Sequence, residues 1–182
     1  HIMGGLGIFS REFVRKLKEY CEVKVVVISI EKNNNLKPDM FVDYVFFPHF
    51  KYNGFETEAC ALENAASLRS QIEPILAEFK PDIIHCNDRQ TFLPFRFDKN
   101  VVYSSHLLFT DMLSLQSIND VYFVEHKIER CALLNSAAVI VYSQFAAKRV
   151  QKMVASKISP IVLPLGFNTE SFYAKKVHNT MK

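Results

Sequence analysis

The sequence predicts an α/β fold built on a doubly wound, mostly parallel sheet, and three observations predict it. Short apolar runs recur along the chain, at residues 23–30 (VKVVVISI), 81–86 (PDIIHC), 101–105 (VVYSS), 138–142 (AVIVY) and 161–163 (IVL). Near-continuous β-branched runs of this kind suit parallel strands covered on both faces. Stretches with a helical period separate them, and alternation of the two makes crossover units. Polar residues stand at the carboxyl ends of the runs, where open α/β sheets bind ligands: Asp88, His106, Ser143 and Asn168 each follow a different run.

Taken in order, the chain opens on Gly4-Gly5-Leu6-Gly7. Three glycines in four residues predict a loop that accepts unusual backbone angles and lets a ligand approach the main chain. Phe9, Phe13, Leu17 and Tyr20 then recur three or four apart, the apolar stripe of a helix. Glu12 with Lys16, and Arg15 with Glu19, stand four apart as surface ion pairs do. A glycine loop opening a helix presents free N–H groups and the positive end of the helix dipole, which suits phosphate or sugar oxygens. A tight turn that only lets the helix pack on the sheet accounts for the glycines equally well. The strand such a loop would follow is expected ahead of His1.

Residues 31–39 are polar, with Asn33-Asn34-Asn35 and Pro38, and predict a loop. Residues 40–47 predict a second strand ended by Pro48, and residues 49–56 an aromatic-polar loop around Gly54. From Thr57 the period is helical through Leu62, Ala65, Leu68, Ile72, Ile75, Leu76 and Phe79, with Pro74 expected to kink or restart the helix. Asn119 or Asp120 is placed to cap a helix reaching Asn135, and Ser143 to cap one carrying Ala147, Val150 and Val154. Pro164-Leu165-Gly166-Phe167-Asn168 closes the last strand.

At 182 residues the chain makes a single domain, residues 1–182, with length enough to bury a core. Its 22 basic and 19 acidic side chains leave a net charge of +3, too even a balance to argue for nucleic acid. Cys21, Cys60, Cys86 and Cys131 lie far apart with no C-x-x-C pair. Reduced thiols in a cytoplasmic protein are therefore expected, with neither disulfides nor a metal site. No apolar run reaches membrane-spanning length and no signal peptide is recognisable.

Each rim residue also has a local role open to it. Asp88 and Ser143 suit helix caps, and His106 suits a hydrogen-bonded loop residue. Their shared edge makes them candidate ligand residues together. The sequence contains no nucleophile elbow, metal-binding helix or P-loop lysine. Gly5-x-Gly7-x-x-Ser10 approaches the dinucleotide fingerprint without its third glycine, and Glu31 ends the next strand where a ribose-binding acid would sit. An NAD(P)-binding Rossmann domain is accordingly one alternative. A non-catalytic glycan-binding domain is another, from the aromatic residues between Phe47 and Phe55.

Five segments, in order, carry a more specific resemblance. Gly4-Gly5-Leu6-Gly7 is similar to the acceptor-domain glycine loop of retaining GT-B glycosyltransferases, the group that includes glycogen and starch synthases. Pro81-Asp82-Ile83-Ile84-His85-Cys86-Asn87-Asp88 resembles their strand end "P-D-(apolar)-(apolar)-H-x-H-D", with Asn87 in place of the second His. Val102-Tyr103-Ser104-Ser105-His106 resembles the strand whose terminal His reaches the donor sugar. Val139-Ile140-Val141-Tyr142-Ser143 and Pro164-Leu165-Gly166-Phe167-Asn168 resemble "V-I-x-V-S" and "P-N-G-(apolar)-D". Ile2 stands where glycogen synthases carry a Lys, and Leu165 and Asn168 replace the usual Asn and Asp.

The resemblance implies one Rossmann-like half of a GT-B fold, the N-terminal, acceptor-side domain. It implies transfer of a sugar, glucosyl by this likeness, from a nucleotide-sugar such as ADP-glucose or UDP-glucose to a glycan acceptor, with no cofactor. In this reading His106 contacts the donor sugar and Asp88 orients its hydroxyls, while Gly4, Gly5, Leu6, Gly7 and Ser143 face the donor phosphate or sugar. A C-terminal nucleotide-binding domain is the implied partner, and without it the chain is expected to have little or no transferase activity.

Overall fold

The computed structural model describes residues 5–29, 40–47, 57–109 and 121–166. Helix α1 (Gly5–Leu17) is followed by strands β1 (Val26–Ile28) and β2 (Tyr44–Phe46), then helix α2 (Glu58–Phe79). Strand β3 (Ile84–Cys86) leads into a short helix α3 (Arg89–Phe92) and a 3-10 turn (Leu93–Phe95). Strand β4 (Val101–Ser104), helix α4 (Val121–Asn135), strand β5 (Ala138–Val141), helix α5 (Gln144–Met153) and strand β6 (Ile161–Val162) complete the order.

Every ladder is parallel. Strands β1 and β2 form one pair, and β3, β4, β5 and β6 form a four-stranded sheet in chain order. Parallel neighbours need a crossover. Helix α3 with its 3-10 turn joins β3 to β4, α4 joins β4 to β5, and α5 joins β5 to β6. The carboxyl ends of four strands are thereby brought to one edge, and the predicted α/β class with a parallel sheet is the observed one.

The core explains why these runs became strands. Val101 and Tyr103 of β4 and Val139 and Val141 of β5 are buried against Ile72 of α2, Phe92 of α3, Leu133 of α4, and Val150 and Val154 of α5 and its end. Val26 and Phe46 pack on the same cluster, which ties the two-stranded pair to it. The strands are shorter than the apolar runs. At the start of β1, Val25 N–H donates to the Asp43 carboxylate at 2.7 Å while Val25 O accepts the Tyr44 N–H at 3.1 Å.

Four expectations are corrected here. Gly5, Leu6 and Gly7 already belong to α1, so Gly5 and Gly7 stand in its first turn. The surface pairs on α1 are three apart, Arg15 with Glu12 at 3.0 Å and Lys16 with Glu19 at 2.7 Å, because side chains at both spacings meet on a helix face. Tyr20 is 78% exposed in the turn after α1 and takes no part in its stripe. Pro74 neither ends nor restarts α2, which runs on to Phe79. A helix-interior proline costs roughly 3 kcal/mol. Burial of Ala61, Ala65, Leu68 and Ile72 before it, and packing of Leu76 after it, hold the helix together. Thr57 caps this helix, accepting the Cys60 N–H at 3.3 Å.

Helix α2 ends on Lys80, whose φ of 48° is left-handed while its N–H donates to Leu76 O. Glycine adopts that conformation without the Cβ clash. Lys80→Gly is therefore expected to raise stability by about 0.5–1 kcal/mol, read as a higher urea midpoint at unchanged slope. A lowered midpoint would contradict it.

The four cysteines are all free, as expected from their spacing. Among the described residues no helix is long and apolar enough to cross a membrane. Gly4, the loops at residues 31–39 and 49–56, Glu31, the cap at Asn119 or Asp120, and Asn168 lie outside the described residues.

Candidate functional site

The carboxyl edge of the sheet is built from what each strand does as it ends. After β3 come Asn87 and Asp88. Asp88 is extended (φ −149°, ψ 151°) and caps α3, its carboxylate accepting the Gln90 N–H at 2.8 Å. Thr91 Oγ1 accepts the Asp88 N–H at 3.2 Å and donates to Asp88 O at 2.7 Å, closing a capping box. One Asp88 oxygen is thus occupied, while the other stands 3.8 Å from Arg89 with the side chain 36% exposed.

After β4, Ser105 N–H donates to Ile140 O of β5 at 2.9 Å, which extends the ladder by one bond and sets His106 at its end. After β5 comes Tyr142, whose hydroxyl lies 3.1 Å from His106 Nε2 with the two rings 4.6 Å apart. Asn87 Oδ1 approaches the same nitrogen at 3.5 Å. Asn87 Oδ1 only accepts, so a proton on Nε2 serves Asn87 and makes Tyr142 the acceptor. A proton on Nδ1 makes Tyr142 the donor.

Helix α1 covers this cluster with its apolar face. Phe9 sets its ring edge-on to His106 at 4.8 Å and to Tyr142 at 5.5 Å. Phe13, stacked on Phe9 at 5.4 Å, meets His85 at 5.3 Å. His85 of β3 in turn shares a 2.7 Å hydrogen bond with Ser104 of β4. Contacts at Phe9 place the glycine-containing first half of α1 nearest His106. The first N–H groups of that helix have no acceptor within it.

Burial is the largest influence on His106. It lowers the imidazole to about 4, with the neighbouring His85 adding to the fall and the Asp88 charge opposing it. Burial lowers His85 as well. Both rings are neutral at physiological pH, and His106 offers a neutral donor and acceptor at the rim. Cys86 beneath it is no nucleophile, because burial pushes its thiol up to about 12.

The unfolded chain takes up a proton at His106 before the folded one does. The stability tied to its neutral form is therefore complete above the ordinary value of 6.5 and is lost as pH falls toward about 4. Urea midpoints at pH 7 and pH 5 test this. His106→Gln is expected to lose less stability than the wild type on acidification, and an equal loss would refute the assignment.

The structure thus brings together His106, the Asn87–Asp88 corner, the Tyr142–Ser143 corner and the first half of α1. Ser143 itself is exposed and is used as the cap of α5, accepting the Ala146 N–H at 3.1 Å. Tyr142 and His85 were missed in the sequence, although both are polar residues at or beside a strand's carboxyl end, the signal that singled out His106. Arg89, Glu125 and Glu129 were missed as well. Burial raises Glu125 to about 7, the charge of Glu129 adding to the rise. Among the described residues no group of three His, Cys, Asp or Glu side chains is placed to hold a metal ion.

No curated protein matches the chain. Residues 3–171 match the model of Glycosyltransferase Family 4, a span that includes every described element and the whole of the rim. A parallel α/β domain with its polar residues gathered at the carboxyl edge is what a glycosyltransferase half of the GT-B architecture requires, and the chain belongs to Glycosyltransferase Family 4.

Proposed function

We propose that this domain is the N-terminal, acceptor-side half of a retaining glycosyltransferase related to glycogen and starch synthases. It works with a C-terminal nucleotide-binding domain to move a sugar, glucosyl by this reading, from a nucleotide-sugar such as ADP-glucose or UDP-glucose to a glycan acceptor. The observation that carries the reading is the neutral imidazole of His106, held by Tyr142 and Asn87 beside the first turn of α1. Departure of the nucleoside diphosphate leaves positive charge on the sugar ring. A neutral imidazole accepts or donates a hydrogen bond there without the repulsion an imidazolium would add. The free N–H groups of Gly5, Leu6, Gly7 and Ile8 at the start of α1, with Gly4 ahead of them, face the diphosphate and stabilise its negative charge. The second oxygen of Asp88, 3.8 Å from Arg89, orients sugar hydroxyls, and Ser143 lines the same edge. Retention and a glucosyl donor rest on the ordered motifs that resemble glycogen and starch synthases.

The test is nucleoside diphosphate release from ADP-, UDP- and GDP-sugars with oligosaccharide acceptors. It is run on residues 1–182 alone and with a donor-binding domain supplied in cis or in trans. Turnover is expected only in the second case. Absence of turnover with every donor in both cases would end the transferase reading, and brisk turnover by residues 1–182 alone would end the division of labour between two domains.

A further inference from the structure

Helix α4 carries two carboxylates that are almost wholly buried, Glu125 at 3% and Glu129 at 0% exposed. They do not face solvent, and they do not reach the rim. Each is tied to a segment that does. Glu125 pairs with the Arg89 guanidinium and accepts from Gln90 Nε2 at 3.2 Å. Arg89 and Gln90 are the two residues after Asp88. Glu129 accepts the backbone N–H of Phe109 at 2.8 Å, three residues after His106. Arg89 closes the arrangement by standing 4.4 Å over the Phe109 ring.

Residues 105–109 are therefore pinned at both ends, by Ser105 N–H on Ile140 O and by Phe109 N–H on Glu129, with His106 between the pins. Apolar side chains of the same size would fill α4's inner face without the desolvation cost of burying charge. What they would not do is accept a backbone N–H or orient a guanidinium. We propose that Arg89, Glu125 and Glu129 are positioning residues, which fix residues 87–90 and 105–109 against each other and so set Asp88 and His106 at their working separation. The catalytic meaning of this rests on the sugar-transfer reading above, whereas the mechanical coupling does not.

The experiment reads the coupling without turnover, in the 182-residue chain. The His106 imidazole is titrated by carbon-detected NMR, and exchange of the Phe109 amide is followed in parallel. In Glu129→Ala the segment loses one pin. The His106 midpoint is expected to rise by about one pH unit or more as the ring gains water, and Phe109 exchange to quicken by about 100-fold. Glu129→Gln keeps a carbonyl oxygen at the same place and is expected to stay near wild type in both. A folded Glu129→Ala variant with an unchanged His106 titration overturns the proposal, as does a Gln variant that behaves like Ala. Should Glu129→Ala fail to fold, Arg89→Met is measured in the same way: a raised His106 midpoint supports the coupling and a wild-type titration overturns it. Sugar-nucleotide binding by the wild type is recorded separately, so its absence counts against the transfer reading while the NMR result still decides the coupling.

Discussion

His106→Ala, in the protein supplied with a donor-binding domain, is expected to lower transfer by about 100-fold or more while the chain still folds. The imidazole is only half-buried at the edge of the sheet, so its removal opens no cavity among the fully buried core side chains. What is lost is a neutral hydrogen-bonding group fixed by Tyr142 and Asn87 at the edge of the sheet. The effect belongs in kcat, because the group is most useful when charge develops on the sugar. Tyr142→Phe is expected to weaken transfer less, since Asn87 still faces the same nitrogen. Turnover of the alanine variant within about threefold of wild type would remove His106 from the mechanism.

Phe92→Ala is expected to have the largest effect on stability, a loss of about 3–5 kcal/mol. Phe92 is 0% exposed and meets Tyr103 edge-on at 6.4 Å. It is also the last residue of α3, the helix that Asp88 caps, so the cavity would open directly behind the Asp88 corner. In a domain of this size such a loss corresponds to a fall in melting midpoint of roughly 10 °C. A change of less than about 1 kcal/mol would mean that the neighbouring side chains collapse into the space, contrary to the close packing of interiors.

Elements dominated by local chemistry were legible in the sequence. The β-branched runs became strands, and the cap at Ser143 fell where its hydroxyl can reach a free N–H. Asp88 was legible as a cap, although the helix it caps has only four residues. Elements decided by distant contacts were not legible. Gly5 and Gly7 read as loop formers by propensity, yet the helix they begin has Phe9 and Phe13 seated on His106 and His85, residues far along the chain from either. Pro74 read as a kink or restart, but the helix does not restart there, because burial on either side of it outweighs the lost hydrogen bond.

The site shows the same division. His106 was found because it ends an apolar run, and Tyr142 satisfies the same rule at the next strand but was read as the strand's last residue. Glu125 and Glu129 sit among His126, Lys127 and Arg130, a composition that reads as the solvated face of a helix. Their partners are distant: Arg89, on the short helix that Asp88 caps, lies 36 residues before Glu125, and Phe109 lies 20 before Glu129. No window of sequence around α4 contains that information.

The buried thiol of Cys86 makes the floor of the site a chemical clock. Cys86 closes β3 at 2% exposure, directly before Asn87 and Asp88, and donates to Thr91 O at 3.5 Å. A thiol reagent in solution meets Cys21 at once, since that residue is exposed. It reaches Cys86, a member of the central core, only when the packing around the β3 end opens. The delay between the two modifications therefore reports the free energy of a local opening, separate from global unfolding. Any molecule that settles on the rim and holds Asp88 in place would lengthen the delay by its own occupancy. Ligands could be ranked in this way without any turnover assay.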